Sequence, residues 1–140
     1  MRRGQSMSKY GQTASPFGFE DLDVYKAARR FRQRIYALAK MLPSHEQKGL
    51  ADQMRRASVS VTSNIAEGYG HHHWQENTQF CRHSRGSLME LIDQIHVCID
   101  ERYADKERLE QFKREDCLEL LKLLNGYIGY LQRKKAVSES

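Results

Sequence analysis

Apolar residues recur every three or four positions along four stretches of this chain, the spacing that lines one side of an α-helix. The first stretch covers residues 21–42 and is closed by Pro43, and the second runs from Ser44 to about Gly68. The third begins near Trp74, and the fourth follows the short connection 103–105. Loops this short return the chain beside itself, so the pattern predicts an all-α fold, an antiparallel up-down-up-down four-helix bundle.

Within the second stretch, local and longer patterns disagree. Residues 58–63 alternate polar and β-branched side chains, as a strand does. The longer window shows an apolar stripe at helical spacing: Leu50, Met54, Ala57, Val61 and Ile65. We therefore predict a helix crowded with small residues, which lets a neighbouring helix approach closely. Asn64 lies beside this stripe, and we expect its amide to satisfy backbone groups near the Gly68 helix end.

Short polar motifs mark the predicted helix ends. Ser44 and Gln47 have the spacing of a capping box at the start of helix two. Gly68 and Gly70 predict its end, because glycine adopts the left-handed conformation without steric cost. Asp105 is expected to cap helix four, whose apolar stripe is Leu109, Phe112, Leu120, Leu123, Leu124, Tyr127, Ile128 and Leu131.

The domain boundaries follow from composition. Residues 1–16 are polar and lack periodicity, which predicts a disordered arm before a bundle at 17–135 and a frayed tail at 136–140. The chain is 39% hydrophobic and 29% charged, typical of a single soluble helical domain. No apolar run approaches the ~20 residues of a membrane span, and no signal-peptide core follows Arg2 and Arg3, so we expect a cytosolic protein.

The net charge of +5 is unevenly distributed. Residues 1–43 carry nine Lys/Arg and three Asp/Glu, whereas residues 71–104 carry three and five. The candidate nucleic-acid-binding residues lie opposite the stripe of helix one or are expected to project from helix two: Lys26, Arg29, Arg30, Arg34, Arg55 and Arg56. These cations either contact phosphates or form a solvated face. No RNA-binding signature or aromatic platform is visible, so sequence-specific recognition is not predicted.

Candidate catalytic and metal-binding groups are sparse. His71, His72 and His73 are adjacent, but consecutive side chains diverge and no carboxylate pair completes a metal site. Asp93 and His96 lie one turn apart, and we expect a hydrogen bond between them rather than a metal site.

The cysteines and Ser87 also lack the sequence patterns of metal-binding, redox or nucleophilic sites. The chain has three cysteines, Cys81, Cys98 and Cys117, without Cys-x-x-Cys spacing, which predicts reduced packing residues. Ser87 follows Gly86 in mid-helix without an evident base. The sequence therefore predicts no catalytic residue, no metal and no cofactor.

Two motifs carry a family resemblance. The first contains Gln53, Arg56, Ala57, Asn64, Ile65, Ala66, Glu67 and Gly68, and the second contains Arg85, Gly86, Ser87, Leu88 and Glu90. Together they resemble the four-helix-bundle proteins encoded in intervening sequences of large-subunit ribosomal RNA genes. That family is similar to the accessory variability determinant of diversity-generating retroelements. Ser84 stands where relatives usually have Ala, and Thr62 where many have Pro.

The resemblance implies a homopentameric ring of bundles and brings no catalytic motif. It also implies two classes of partner, RNA or DNA and a retroelement reverse transcriptase. Val59 points away from the apolar stripe, which suits an interface between copies. Gly86 and Ser87 are expected at a close helix crossing, with Arg85 and Glu90 at its margin. Ion pairs from Glu67 or Glu90 to Arg56 or Arg85 are compatible with the sequence.

Two functions of different classes remain, with an enzyme a distant third. The first is a non-enzymatic scaffold that binds structured RNA or other nucleic acid. The second is a protein-interaction module whose charges serve solubility.

Overall fold

A computed structural model describes residues 15–71 and 73–139, and all regular secondary structure in these ranges is helical. The helices are α1 (Asp23–Met41), α2 (Leu50–Gly70), α3 (Trp74–Asp100), α4 (Lys106–Phe112) and α5 (Leu118–Glu139). Short 3₁₀ turns at Gly18–Asp21 and Ser44–Glu46 precede α1 and α2. The all-α prediction is confirmed. Most of the predicted N-terminal arm, residues 1–14, lies outside the described ranges.

A π-helical turn at Lys113–Cys117 joins α4 to α5. Phe112, Lys113 and Leu118 keep right-handed helical dihedrals, so 106–139 is one continuous fourth helix. The predicted stripe of this helix has a step of eight residues from Phe112 to Leu120. A π turn holds one extra residue, which returns both parts of the stripe to the core and buries Cys117 between them. The helix continues to Glu139, past residue 135 where the sequence placed the end of the bundle.

The hydrophobic core contains the apolar stripes of all four helices. On α2, Ala51, Met54, Val61 and Ile65 are fully buried, so the helical period was the correct guide there. The buried residues of α1 are Val24, Ala27, Ala28, Phe31, Ile35 and Ala39. None of the described helices is long and apolar enough to cross a membrane.

Helix α2 packs on α1 and α3, and α5 packs on α1 and α3. Met54 near the start of α2 lies 4.0 Å from Cys98 near the end of α3, measured between the sulfurs. Farther along α2, the carbonyl of Val61 accepts a hydrogen bond of 2.8 Å from Ser84. Moving toward the end of α2, the contacts therefore move toward the start of α3.

The start of α2 differs from the prediction. Gln47 does not cap α2: its side-chain amide donates to the carbonyls of Ala39 and Leu42, at 2.9 Å each, and so caps α1. Glu46 accepts from the backbone N–H of Leu50 at 3.1 Å instead. The capping-box prediction was therefore wrong, because the Gln47 side chain is used by carbonyls at the end of the preceding helix.

Glu46 also joins two loops. The hydroxyl of Tyr103 donates to its carboxylate at 2.8 Å. The backbone N–H of Leu50 and then this hydroxyl lower the pKa of Glu46. The same hydrogen bond is the main cause that raises the pKa of Tyr103 to about 12. The loop before α2 is thereby held against the loop after α3.

The predicted end of α2 at Gly68 to Gly70 is confirmed in position, but the predicted left-handed glycine was wrong. The helix continues to Gly70, and no described glycine has a positive φ. The left-handed residue is Arg102, with φ of 58°, at the end of α3. There the N–H of Tyr103 reaches back to the carbonyl of Cys98 at 2.9 Å, as in a Schellman motif. The predicted cap at Asp105 is confirmed, because its carboxylate accepts from the N–H of Arg108 at 3.0 Å.

Gly68 owes its place to close contact with α3. A Cβ atom there would lie 2.6 Å from Oδ1 of Asn77 and 2.8 Å from Cβ of Phe80. Asn77 is buried and donates to the Tyr127 hydroxyl at 3.2 Å, so it cannot move aside freely. Any side chain at Gly68 would push α2 and α3 apart.

We expect Gly68→Ala to lower the free energy of unfolding by about 1 to 3 kcal/mol through overpacking. Gly86→Ala is the matched control, since a Cβ there meets nothing within 4 Å. That change should raise stability by about 0.5 to 1 kcal/mol, because alanine is the better helix former. Urea titrations followed by circular dichroism measure both values. A Gly68→Ala protein as stable as wild type would contradict the close contact.

Candidate nucleic-acid interface

The outer face of α1 carries exposed cations. Lys26, Arg29 and Arg30 lie opposite the buried stripe of this helix and face solvent. None of the three makes an ion pair with a carboxylate of residues 15–71 or 73–139. Their charges are therefore available to a polyanion.

Arg34 differs from its neighbours on α1. Its guanidinium donates to the carboxylate of Asp116 in the π turn and forms an ion pair with it. Arg30 and Arg34 also line a small crevice with Asp116 and Glu119. These acids reduce the positive potential at the Arg34 end of the face, so Lys26 and Arg29 mark its more basic part.

The two arginines of α2 are engaged with nearby residues. Arg55 is half-buried and donates to the carbonyl of Gln47 at 2.9 Å, so the prediction that it projects outward was wrong. Arg56 does project outward, and it pairs with Asp52 at 2.9 Å. An exposed pair of this kind contributes only about 0 to 1 kcal/mol, so phosphate could displace Asp52 at small cost.

The side chain of Asn64 makes hydrogen bonds to the residue one turn earlier in α2. Its amide donates to the carbonyl of Ser60 at 2.8 Å and to its hydroxyl at 3.0 Å. The predicted link to the Gly68 helix end was therefore wrong. Ser60 and Ser87 share a hydroxyl hydrogen bond of 2.8 Å, which extends this network from α2 to α3.

Ser87 and Gly86 of the second motif lie in different environments. Ser87 faces α2 through Ser60, as expected for a close crossing. Gly86 is exposed, with open space where a side chain would be, so its predicted place in the crossing was wrong. The small residue that permits close approach is the buried Ser84.

The charged members of the motifs do not pair with one another. Arg85 donates to Oδ1 of Asn125 on α5 at 2.7 Å. Glu90 accepts from the amide of Gln94 at 3.2 Å. Glu67 is exposed and forms no ion pair within the described ranges.

The histidines have local partners. His71 stacks on Phe80, with ring centroids 5.0 Å apart, and its Nδ1 lies 3.5 Å from Glu76. His72 lies outside the described residues. His96 makes a hydrogen bond of 2.8 Å with Nζ of Lys113, so the predicted bond to Asp93 was wrong. Residues 15–71 and 73–139 contain no cluster of three or more His, Cys, Asp or Glu side chains with metal-site geometry.

All three cysteines are buried and reduced. Burial raises the pKa of Cys81 to about 12 and of Cys98 to about 11. The pKa of Cys117 rises to about 12, again mainly through burial. Because the thiolate is the nucleophile, these side chains act as apolar packing groups at neutral pH.

One aromatic cluster was not predicted from the sequence, where no aromatic platform was visible. Tyr127 stacks on Tyr130, with centroids 6.1 Å apart and planes at 13°. Trp74 meets Tyr130 edge to face at 6.4 Å, and Nζ of Lys134 lies 5.6 Å from the centroid of the Tyr130 ring. The spacing of Tyr127, Tyr130 and Lys134 could have indicated a shared helix face. No local pattern brings Trp74 to them.

The fold is that of an all-helical protein, and its cationic surface is the candidate functional feature. The model of the 23S rRNA-intervening sequence protein family matches residues 20–126, and the chain belongs to that family. The predicted resemblance to intervening-sequence proteins is thus confirmed. A comparison with curated proteins found no match.

We expect the native protein to resist thiol labelling at mildly alkaline pH, because the pKa values of about 11 and about 12 leave almost no thiolate. Ellman's reagent should react at the rate of unfolding, and should detect three thiols after denaturation in urea. The denatured sample is the control. A native thiol that reacts as fast as free cysteine would contradict the burial described here.

Proposed function

We propose that this protein is a non-enzymatic scaffold that binds structured RNA or other nucleic acid through the basic face of α1. The observation that carries this proposal is a set of exposed cations that form no ion pair with residues 15–71 or 73–139: Lys26, Arg29 and Arg30. The family name, which refers to an intervening sequence of 23S rRNA, supports RNA as the partner and hence a cytoplasmic location. The raised pKa values of the buried cysteines support a role without nucleophilic catalysis.

The physical basis is electrostatic. Lys and Arg side chains that neutralise phosphates release condensed counterions, and this release favours binding without reading sequence. Three cations on one subunit provide a modest patch. A ring of identical subunits repeats the patch around its axis and sums the field at a long polyanion.

We further propose that the four helices form an antiparallel up-down-up-down bundle and that five bundles assemble into a ring. Opposite chain directions in the α2 and α3 contacts support the first part. Val59, which is 38% exposed on α2 among small polar residues, supports an interface between copies.

Similarity between the intervening-sequence family and the accessory variability determinant motivates one protein partner, a retroelement reverse transcriptase. In that arrangement the ring presents RNA to the polymerase and does no chemistry itself. Co-purification of the reverse transcriptase encoded beside such a gene, with and without ribonuclease, tests this part separately.

A protein-interaction module is the second candidate. Carboxylates of the same chain engage Arg34 and Arg56, and Arg55 is half-buried, so only part of the predicted basic surface is unpaired. In this alternative the cations of α1 serve solubility, and nucleic-acid affinity is weak and insensitive to their removal.

We expect charge reversal at Arg29 and Arg30 to weaken binding of a labelled structured RNA by tenfold or more at moderate salt. Wild-type affinity should fall with salt, with a log–log slope of ~0.7 to 0.9 per phosphate neutralised. The double variant should show a smaller slope, because fewer counterions are released. Fluorescence anisotropy at two salt concentrations measures both quantities.

The matched control reverses Arg114 and Lys122, which are exposed on the fourth helix and change the net charge equally. Circular dichroism should show that all proteins stay helical, since none of the four residues is in the core. Equal affinities for wild type and the Arg29/Arg30 variant would refute the role of α1. Equal losses in both variants would assign binding to net charge alone.

We expect wild type to sediment as a pentamer and Val59→Arg to sediment as a smaller species, because a buried cation at each repeated contact destabilises the ring. Met41→Arg is the control, since Met41 is 61% exposed at the end of α1. Sedimentation equilibrium measures the masses. A wild-type monomer at micromolar concentration would refute the ring.

A further inference from the structure

A ladder of aromatic rings runs from the core to the surface where α3 begins and α5 ends. Tyr127 is buried, Tyr130 is half-buried, and Trp74 is 37% exposed. Asn77 on α3 donates to the Tyr127 hydroxyl and so fixes the inner end of the ladder. Edge-to-face contact with Tyr130 then orients Trp74, so its exposed part is presented in a preorganised position.

One cation lies over a ring of this ladder, and two more are close by in the sequence. Nζ of Lys134 lies 5.6 Å from the ring centroid of Tyr130. Arg133 and Lys135 are its sequence neighbours on α5. Lys135 pairs only loosely with Glu139, at 3.9 Å. Positive charge beside an exposed aromatic ring is the combination that single-stranded nucleic acids recognise, because every base has a face that stacks and every link carries a phosphate.

The same two helix ends line a polar cleft of about 580 Å³. Arg82 from α3 and Lys135 from α5 contribute its cations, and Glu76 contributes a carboxylate. Nδ1 of His71 lies 3.5 Å from that carboxylate. The volume suits a group of nucleotide size.

We propose that these helix ends bind a single-stranded segment of nucleic acid, with one base stacked on Trp74 and the adjacent phosphates contacted by Lys134, Lys135 and Arg82. This inference rests on the proposed nucleic-acid function and adds a second surface to it. The α1 face attracts any polyanion, whereas the Trp74 site selects unpaired bases. Structured RNA with a loop or single-stranded end satisfies both.

The chain contains a single tryptophan, so its intrinsic fluorescence reports on Trp74 directly. The probes are a labelled oligouridylate, a blunt RNA duplex, and heparin as a polyanion without bases. Oligouridylate should quench the tryptophan emission saturably, at the concentrations at which anisotropy reports binding. The duplex and heparin should change anisotropy or compete for binding with little quenching.

Trp74→Ala should weaken oligouridylate binding by about 5- to 150-fold, the range for loss of one stacked base. Trp74→Phe keeps a ring and should recover part of the affinity, which guards against a folding defect in the alanine variant. Lys134→Gln should weaken binding while retaining the fluorescent reporter. Leu118→Ala is the control, since it removes an apolar side chain that is 43% exposed elsewhere on the fourth helix and should leave affinity unchanged.

The outcomes separate this site from the α1 face. Oligouridylate binding by anisotropy without quenching, and with equal affinity in Trp74→Ala, would overturn the Trp74 site and leave the proposed function intact. Equal quenching by heparin would overturn base stacking. Emission that changes with protein concentration and not with RNA would assign Trp74 to a contact between copies, and would also overturn the site. No RNA binding by either readout would refute both proposals.

Discussion

The close approach of α2 and α3 is the constraint on which the rest of the structure depends. Gly68 leaves no room for a side chain against Asn77 and Phe80. Farther along, Ser84 donates across the same contact to the Val61 carbonyl, and Ser60 meets Ser87 hydroxyl to hydroxyl. Small side chains therefore do two things here: they let the backbones approach, and they satisfy polar groups that this approach buries.

Core packing also determines where the two surfaces of interest lie. Asn77 lies against Gly68 and donates to Tyr127, so the packing of α2 on α3 orients the inner, α5 end of the aromatic ladder. Burial of the stripe on α1 turns Lys26, Arg29 and Arg30 to solvent in the same way. The cationic face and the aromatic site are thus consequences of core packing, not of separate local motifs.

Periodicity was sufficient for the helices and insufficient for their ends. Burial of Met54, Val61 and Ile65 could be predicted from their spacing alone, because the apolar face of an amphipathic helix packs against the core. Gln47 could not be placed in this way, since its partners belong to the preceding helix. The pairing of Arg34 with Asp116 joins residues distant in sequence, and no local pattern anticipates it. The sequence therefore predicted which basic residues belong to the candidate site, but not which of them pair with other residues of the chain.

The π turn at Lys113–Cys117 has a consequence for how the fourth helix tolerates changes in length. A π turn is an α-helix with one residue inserted, and each α-helical residue advances the chain by about 100° around the axis. Removing one residue from this turn would give a regular helix with better hydrogen bonds. It would leave α4 and α5 in the same relative orientation, because the turn had absorbed that residue. Removing a residue while the π turn is kept would instead rotate α4 relative to α5 by about a quarter turn, so that Leu109 and Leu120 could no longer face the same core. Here the core sets the phase of the helix, and the backbone geometry adapts to it.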